Sequence, residues 1–154
     1  MWQGLSPLII LAMTLVMESN TIPGMERVYT VLSNRAYHAE RLRTVEALVR
    51  QAIKPYQFSC WKESNRETIE RVKRESMYLT VALKLIERDP VRIEVGQARW
   101  YKTHQLFCDP NRPSWLRYGN ITYDEGIGGH IFLEGVDEEL PRNPKEDKFI
   151  CSGD

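Results

Sequence analysis

Ser6-Pro7-Leu8-Ile9-Ile10-Leu11-Ala12-Met13-Thr14-Leu15-Val16-Met17-Glu18 is the stretch whose reading decides the fold. Leu5 to Met17 is almost wholly apolar, a pattern shared by export signals, membrane anchors and helices buried in a core. It lacks the positively charged start and small-residue cleavage site of an export signal. Its 13 residues also fall short of the roughly 20 that a helix needs to cross a bilayer. Ser6-Pro7 suits an N-cap followed by proline at the first helical position, where a missing N–H costs nothing. The expectation is a helix over Pro7–Glu18, apolar on most faces and therefore buried, with no membrane span. Glu18, which ends it, is the only charge in the first 25 residues.

Turn chemistry follows in Ser19-Asn20-Thr21-Ile22-Pro23-Gly24. The apolar spacing then predicts a second helix from Met25 to Ala39, with Val28, Val31, Leu32 and Ala36 on its inner face. A third is expected from Arg41 to Ile53, turning Leu42, Val45, Leu48, Val49 and Ile53 inward, and Pro55 stops it. Ser64-Asn65-Arg66-Glu67 has the form of a capping box opening the longest helix. In that helix Ile69, Val72, Ser76, Leu79, Leu83 and Ile86 recur at three- and four-residue steps, giving one continuous stripe that Asp89-Pro90 ends. Helical periodicity stops there. Arg99 to Thr103 is β-prone, and Ile121 to Tyr123 and His130 to Leu133 read as short strands joined through Asp124 to Gly129. The fold class is α+β, mainly α, with a small β element near the C-terminus.

The 154 residues suit one domain with room for a core. Lys plus Arg number 21 and so do Asp plus Glu, so no net charge draws the chain to nucleic acid or a membrane surface. The balance is local. From Gly135 onward Asp137, Glu138, Glu139, Glu146, Asp147 and Asp154 face only Arg142, Lys145 and Lys148, with Pro141 and Pro144 interrupting. The expected organisation is a domain over 1–136 and an extended acidic tail over 137–154, either solvated or docking to another protein. Cys60, Cys108 and Cys151 are odd in number and have no CxxC or His-paired spacing, so neither a zinc site nor a disulfide framework is expected. His38, His104 and His130 are scattered, and no metal or cofactor is expected.

Two features carry chemistry. Pro55-Tyr56-Gln57-Phe58-Ser59-Cys60-Trp61 strings aromatic, amide and hydroxyl groups together between two helices. An apolar wall of Tyr56, Phe58 and Trp61 with Gln57 and Ser59 converging on it would make a ligand cleft suited to sugar rings; the alternative is a buried aromatic turn closing the core. Glu18 is the second. A carboxyl at the end of a buried helix loses hydration and faces the negative end of the helix dipole, and each effect favours the protonated form that a glycosidic general acid needs. The alternative is a helix-ending Glu pointing into solvent. Trp100, Tyr101 and Trp115 could add stacking faces or pack in the core. No nucleophile elbow, phosphate loop or HExxH occurs, which disfavours serine esterases, nucleotide enzymes and zincin-type proteases.

Gly24-Met25, Val28, Val31 to Arg35 and the Gln57 to Trp61 run resemble the cell-wall hydrolases related to spore cortex-lytic enzymes. Ala98 to Thr103, Pro113-Ser114-Trp115 and Ile127 to Phe132 are similar to that family's closing motifs, in the same order. The resemblance covers Leu8 to Leu133. It implies a lysozyme-like domain that cleaves the glycan strands of peptidoglycan, with the catalytic Glu at the end of the first helix, where Glu18 stands. The chain departs from the family in having Ser19 after Glu18 and no second acid in a shortened loop, where Thr21 and Ile22 stand. Glu26, the fallback acid, suits a solvated surface residue. With one acid evident, the resemblance implies a lytic transglycosylase or muramidase. Glu18 would protonate the bond between N-acetylmuramic acid and N-acetylglucosamine, Gln57 and Ser59 would orient the sugar, and Phe58, Trp61 and Tyr101 would form stacking walls. The other readings are an inactive structural component of a virion and an N-acetylmuramoyl-L-alanine amidase. The expected setting is a bacteriophage particle, or host cytoplasm before release, with the tail docking to other virion proteins.

Overall fold

In the computed structural model, residues 4–54 and 66–152 are described. The chain is mainly α with a small antiparallel sheet near its end, and it forms two compact units, Met1–Arg92 and Ile93–Asp154.

The first unit is built around α1, Pro7–Glu18. Ser6 caps it, its hydroxyl accepting the Ile9 N–H at 3.3 Å, and Pro7 starts the first turn. Ile10 to Leu15 are all buried, with Leu11, Ala12, Met13 and Leu15 fully so. Thr14 is tolerated among them because its hydroxyl donates to the Ile10 carbonyl at 2.8 Å. Helices α2 (Ile22–Glu40), α3 (Val45–Ala52) and α5 (Met77–Arg88) pack around it.

In α2, Val28, Val31, Leu32 and Ala36 are buried as the spacing predicts, joined by Met25 and Tyr29. It begins three residues earlier than expected, because Thr21 is its N-cap. Arg41 ends it in the left-handed region at φ 58°, which breaks the continuity expected between Arg41 and the third helix. Thr44 then caps α3, accepting the Ala47 N–H at 3.2 Å. Leu42, expected to face inward, therefore lies in the connection and is 47% exposed.

The longest expected helix is divided. Ser76 leaves helical geometry at φ −81°, ψ 118° and caps α5 with its hydroxyl, separating that helix from α4 (Arg66–Glu75). Serine competes with the helical ladder through this kind of local bond, so the expected single stripe fails at its smallest member. The buried face of α5 is Ala82, Leu85 and Ile86. Asp89, left-handed at φ 51°, ends α5 and accepts the Tyr29 phenol. Burial, reinforced by that carboxylate, pushes the Tyr29 pKa well above its ordinary value. The chain leaves the unit held by α2, with the Arg92 N–H on the Thr30 hydroxyl at 3.1 Å and its guanidinium on Glu26 at 2.7 Å.

The second unit holds strands β1 (Trp100–Thr103), β2 (Asn120–Asp124) and β3 (His130–Glu134), in antiparallel order β1-β3-β2. Pairing of Trp100 with Leu133 and Tyr101 with Phe132 sets which side chains share a face. A register shift between Ile121 and Tyr123 lets Tyr123 pair with Phe132. Ile131 and Leu133 point into a core with Phe107, Leu116 and Val136, against which Trp100, Cys108, Trp115, Tyr118, Ile121 and Ile150 pack. Phe107 comes from the short helix α6, His104–Phe107.

The segment after residue 136, expected to be extended, is folded. Pro144–Ser152 forms α7. Arg142 is buried and donates to Asp147 through Nε and Nη2, each at 2.9 Å, and to the carbonyls of Tyr118 at 2.6 Å and Leu116. Arg112 reaches the same carboxylate at 2.7 Å. A disulfide joins Cys108 to Cys151 across 43 residues, which corrects the expectation that the cysteines give no disulfide framework. Odd cysteine number did not exclude it, because Cys60 is simply the third. Acidic composition misled as well: Asp147 is not a solvated charge but the partner of two guanidiniums.

Burial raises the Asp147 pKa, but the hydrogen bonds and charges of Arg142 and Arg112 outweigh it and hold the carboxyl below its ordinary value. The unfolded chain therefore takes up this proton first as pH falls, and the stabilisation present above the ordinary carboxylate range is lost on acidification through the folded value. Asp147→Asn should cost about 3–5 kcal/mol at neutral pH, since it leaves two guanidiniums without their charge partner. Its thermal midpoint should fall less steeply from pH 6 to pH 3 than that of the unaltered protein, as calorimetry across pH will read. Cys151→Ser should cost roughly 2–4 kcal/mol, the value expected for opening a loop of this length, measured by urea unfolding with and without reductant.

Candidate active site

Glu18 is the last residue of α1 and is half-buried. The helix stops there because Ser19 is extended at φ −152°, ψ 146°, while its N–H closes the final turn on the Leu15 carbonyl at 3.1 Å. The chain then reverses within three residues. Thr21 accepts the Gly24 N–H at 3.0 Å, and Ser19 lies directly over Gly24. A Cβ at Gly24 would collide with the Ser19 hydroxyl, and would lie 2.7 Å from the Thr21 hydroxyl and 3.1 Å from Ser19 Cβ. Glycine at 24 is thus a packing requirement of the turn that carries the chain from Glu18 into α2.

Glu26, considered as a fallback acid on a solvated surface, is buried instead. Arg92 contacts one of its oxygens at 2.7 Å and Arg88 lies 3.6 Å from the other. It ties α2 to the segment that follows α5. Tyr56, Gln57, Phe58, Ser59, Cys60 and Trp61 lie outside the described residues.

Tyr101 is in the second unit, half-buried on the sheet face opposite Ile131 and Leu133. Its ring meets His130 edge-on with centroids 4.9 Å apart and Phe132 at 5.7 Å, and Tyr123 adds a ring 6.4 Å from Phe132. Trp100 and Trp115, considered as further stacking faces, belong to the core on the other side. Glu125 is hydrogen-bonded to His130 beside this aromatic group. In the sequence His130 stands within the family-like run Ile127 to Phe132 but carries no assigned role; the signal for its pairing is an acid placed five residues before it, across a glycine-rich turn. Glu18 and Tyr101 belong to different units, and each is placed within its own.

Residues 19–133 match the cell wall hydrolase family. The chain belongs to that family. No curated protein and no solved structure matches the chain. The region shared with the cell wall hydrolases starts one residue after Glu18, takes in the turn over Gly24 and runs through the aromatic sheet face to Leu133. The buried ion pair of Arg142 and Asp147 comes after it. As a cell-wall hydrolase the protein acts on peptidoglycan.

Gly24→Ala should lower stability by about 1–3 kcal/mol through overpacking of the Ser19–Thr21 turn. Ser19→Ala/Gly24→Ala, which removes the colliding hydroxyl, should recover part of that loss. Thermal unfolding of both proteins, with lytic activity measured alongside, will show whether the turn after Glu18 is what alanine disturbs.

Proposed function

We propose that this cell-wall hydrolase cuts the glycan strand between N-acetylmuramic acid and N-acetylglucosamine, with Glu18 as its single general acid. The observation that carries the reading is the position of Glu18: half-buried, at the carbonyl end of a helix whose preceding turns lie in the core. Carbonyl dipoles and partial loss of water disfavour a negative charge at such a place, which suits a group that must arrive protonated. Glu18 then donates its proton to the glycosidic oxygen as the bond to the muramic ring lengthens and positive charge develops at C1. The resulting Glu18 carboxylate takes the proton of the attacking hydroxyl. If that hydroxyl is the sugar's own 6-OH, the product is a 1,6-anhydro end, as in a lytic transglycosylase; if it is water, the product is a reducing end, as in a muramidase.

Gln57, Phe58, Ser59 and Trp61 are proposed as sugar contacts from the resemblance to the family's motif, and Tyr101 as a stacking surface from its place among the rings of the sheet face. The Cys108–Cys151 bond suits the oxidising compartment in which peptidoglycan lies. A phage particle or the lysis stage is proposed as the setting. Docking to other particle components by a free acidic tail is not part of this reading, because Arg142, Asp147 and Cys151 are bound into the second unit.

Glu18→Gln should reduce release of fragments from purified sacculi by at least about 100-fold, the scale expected for loss of a general acid, with an unchanged thermal midpoint. Full activity in that protein would overturn the assignment. Mass spectrometry of the fragments distinguishes the two chemistries, anhydro ends being 18 Da lighter than hydrolysed ones, a difference of about one water.

A further inference from the structure

The hairpin between β2 and β3 carries a polar pair that the proposed chemistry does not use. Glu125 folds back over Gly129, where a Cβ would lie 2.5 Å from Glu125 Cβ and 3.1 Å from its Oε1. That oxygen accepts the His130 backbone N–H at 2.8 Å and lies 3.2 Å from Nδ1 of the same residue. A carboxylate only accepts hydrogen bonds, so Nδ1 must carry a hydrogen. In the neutral ring this leaves Nε2 with a lone pair rather than an N–H. Closing the hairpin needs only the backbone N–H. The second bond does something further: it fixes the tautomer and orientation of the imidazole.

The surroundings of that ring are those of a binding surface. Tyr101 stands edge-on to it at 4.9 Å and Phe132, fully buried, lies 6.2 Å away. His130, Tyr101 and Tyr123 are each partly accessible, the His130 side chain to 14%. Among the described residues, Nε2 takes no partner. Aromatic walls beside one oriented acceptor suit a neutral ligand rich in hydroxyl and amide N–H donors. The Glu125 carboxylate alongside disfavours an anion.

We propose that His130 is a glycan-contacting residue, its Nε2 accepting a hydrogen bond from a hydroxyl or acetamido N–H of an N-acetylated amino sugar, and that Glu125 is its positioning residue. The assignment rests on the reading of the glycan strand as substrate. It does not depend on Glu18 being the acid.

Binding of the full chain carrying Glu18→Gln to purified sacculi, read as depletion from the supernatant, separates contact from cleavage. In that background His130→Asn keeps an N–H donor near the place of Nδ1 and loses Nε2. Its affinity should fall about tenfold, the scale of one lost hydrogen bond, with an unchanged thermal midpoint. His130→Gln places a polar group near Nε2 but gives up the Glu125 bond, so it should lose less affinity and more stability. If His130→Asn binds sacculi as tightly as its parent, the imidazole only staples the hairpin and the proposal is overturned. The ¹⁵N resonance of Nε2 in the unsubstituted ring gives a second reading that needs no variant to fold. Addition of a tetramer of N-acetylglucosamine should shift it, and an unmoved resonance at saturation overturns the proposal. Should Glu18→Gln still cleave sacculi, the catalytic assignment fails while the resonance still decides the role of His130.

Discussion

Six successive residues of α1, Ile10 to Leu15, are out of water. At 3.6 residues per turn they cover the whole circumference of the helix, so no single packing face can account for them. The helix needs neighbours on all sides, and α2, α3 and α5 provide them. Each fully buried Leu or Met there contributes about 1.5–3 kcal/mol, which makes α1 the element that the rest of the first unit has to surround. It also decides where polar chemistry can begin. No charge can be accommodated before the helix emerges, and the first one in the chain, Glu18, stands at that exit.

The second unit solves the same problem with fewer apolar residues. Its core rests on Phe107, Leu116, Ile131, Leu133 and Val136. A unit of about 60 residues buries a smaller share of its surface than a larger domain and needs additional ties. Two are present and they act differently. The Cys108–Cys151 bond restricts the unfolded chain. Arg142 acts in the folded state, where it meets Asp147 with two nitrogens while also serving the carbonyls of Leu116 and Tyr118. Taking an ion pair out of water is unfavourable unless its remaining hydrogen-bonding capacity is used. Here the carbonyls and Arg112 use it.

What could be read from the sequence follows from how local each signal is. Pro7–Glu18 was legible because its cap, its proline and its apolar run all lie within the element. The inner face of α2 and the positions of the three strands were legible for the same reason. Ser76 shows where local reading divides: as a small residue it fits a buried stripe, yet its hydroxyl can also cap a helix, and it does the latter. Arg41 and Asp89 adopt left-handed geometry without being glycine, which no pattern announces. Arg142 is close to Asp147 in sequence, but the second partner, Arg112, lies 35 residues away, and Cys108 lies 43 residues from Cys151; only the fold brings these together. The Gln57 to Trp61 run, central to the sequence reading of the site, lies outside the described residues.

Three glutamates show that neighbours, rather than residue type, divide the roles. Glu26 faces two arginines, Arg92 at 2.7 Å and Arg88 at 3.6 Å, and is a tie between secondary-structure elements. Glu125 accepts the His130 backbone N–H and lies 3.2 Å from Nδ1 of the same ring, a contact that orients the imidazole. Glu18 stands at the carbonyl end of α1, where the helix dipole disfavours negative charge. Under the proposed chemistry that repulsion is useful twice. It would favour the protonated acid that the glycosidic oxygen needs, and a carboxylate that takes up a proton readily in the step that follows. On that proposal a single carboxyl serves as acid and base in turn.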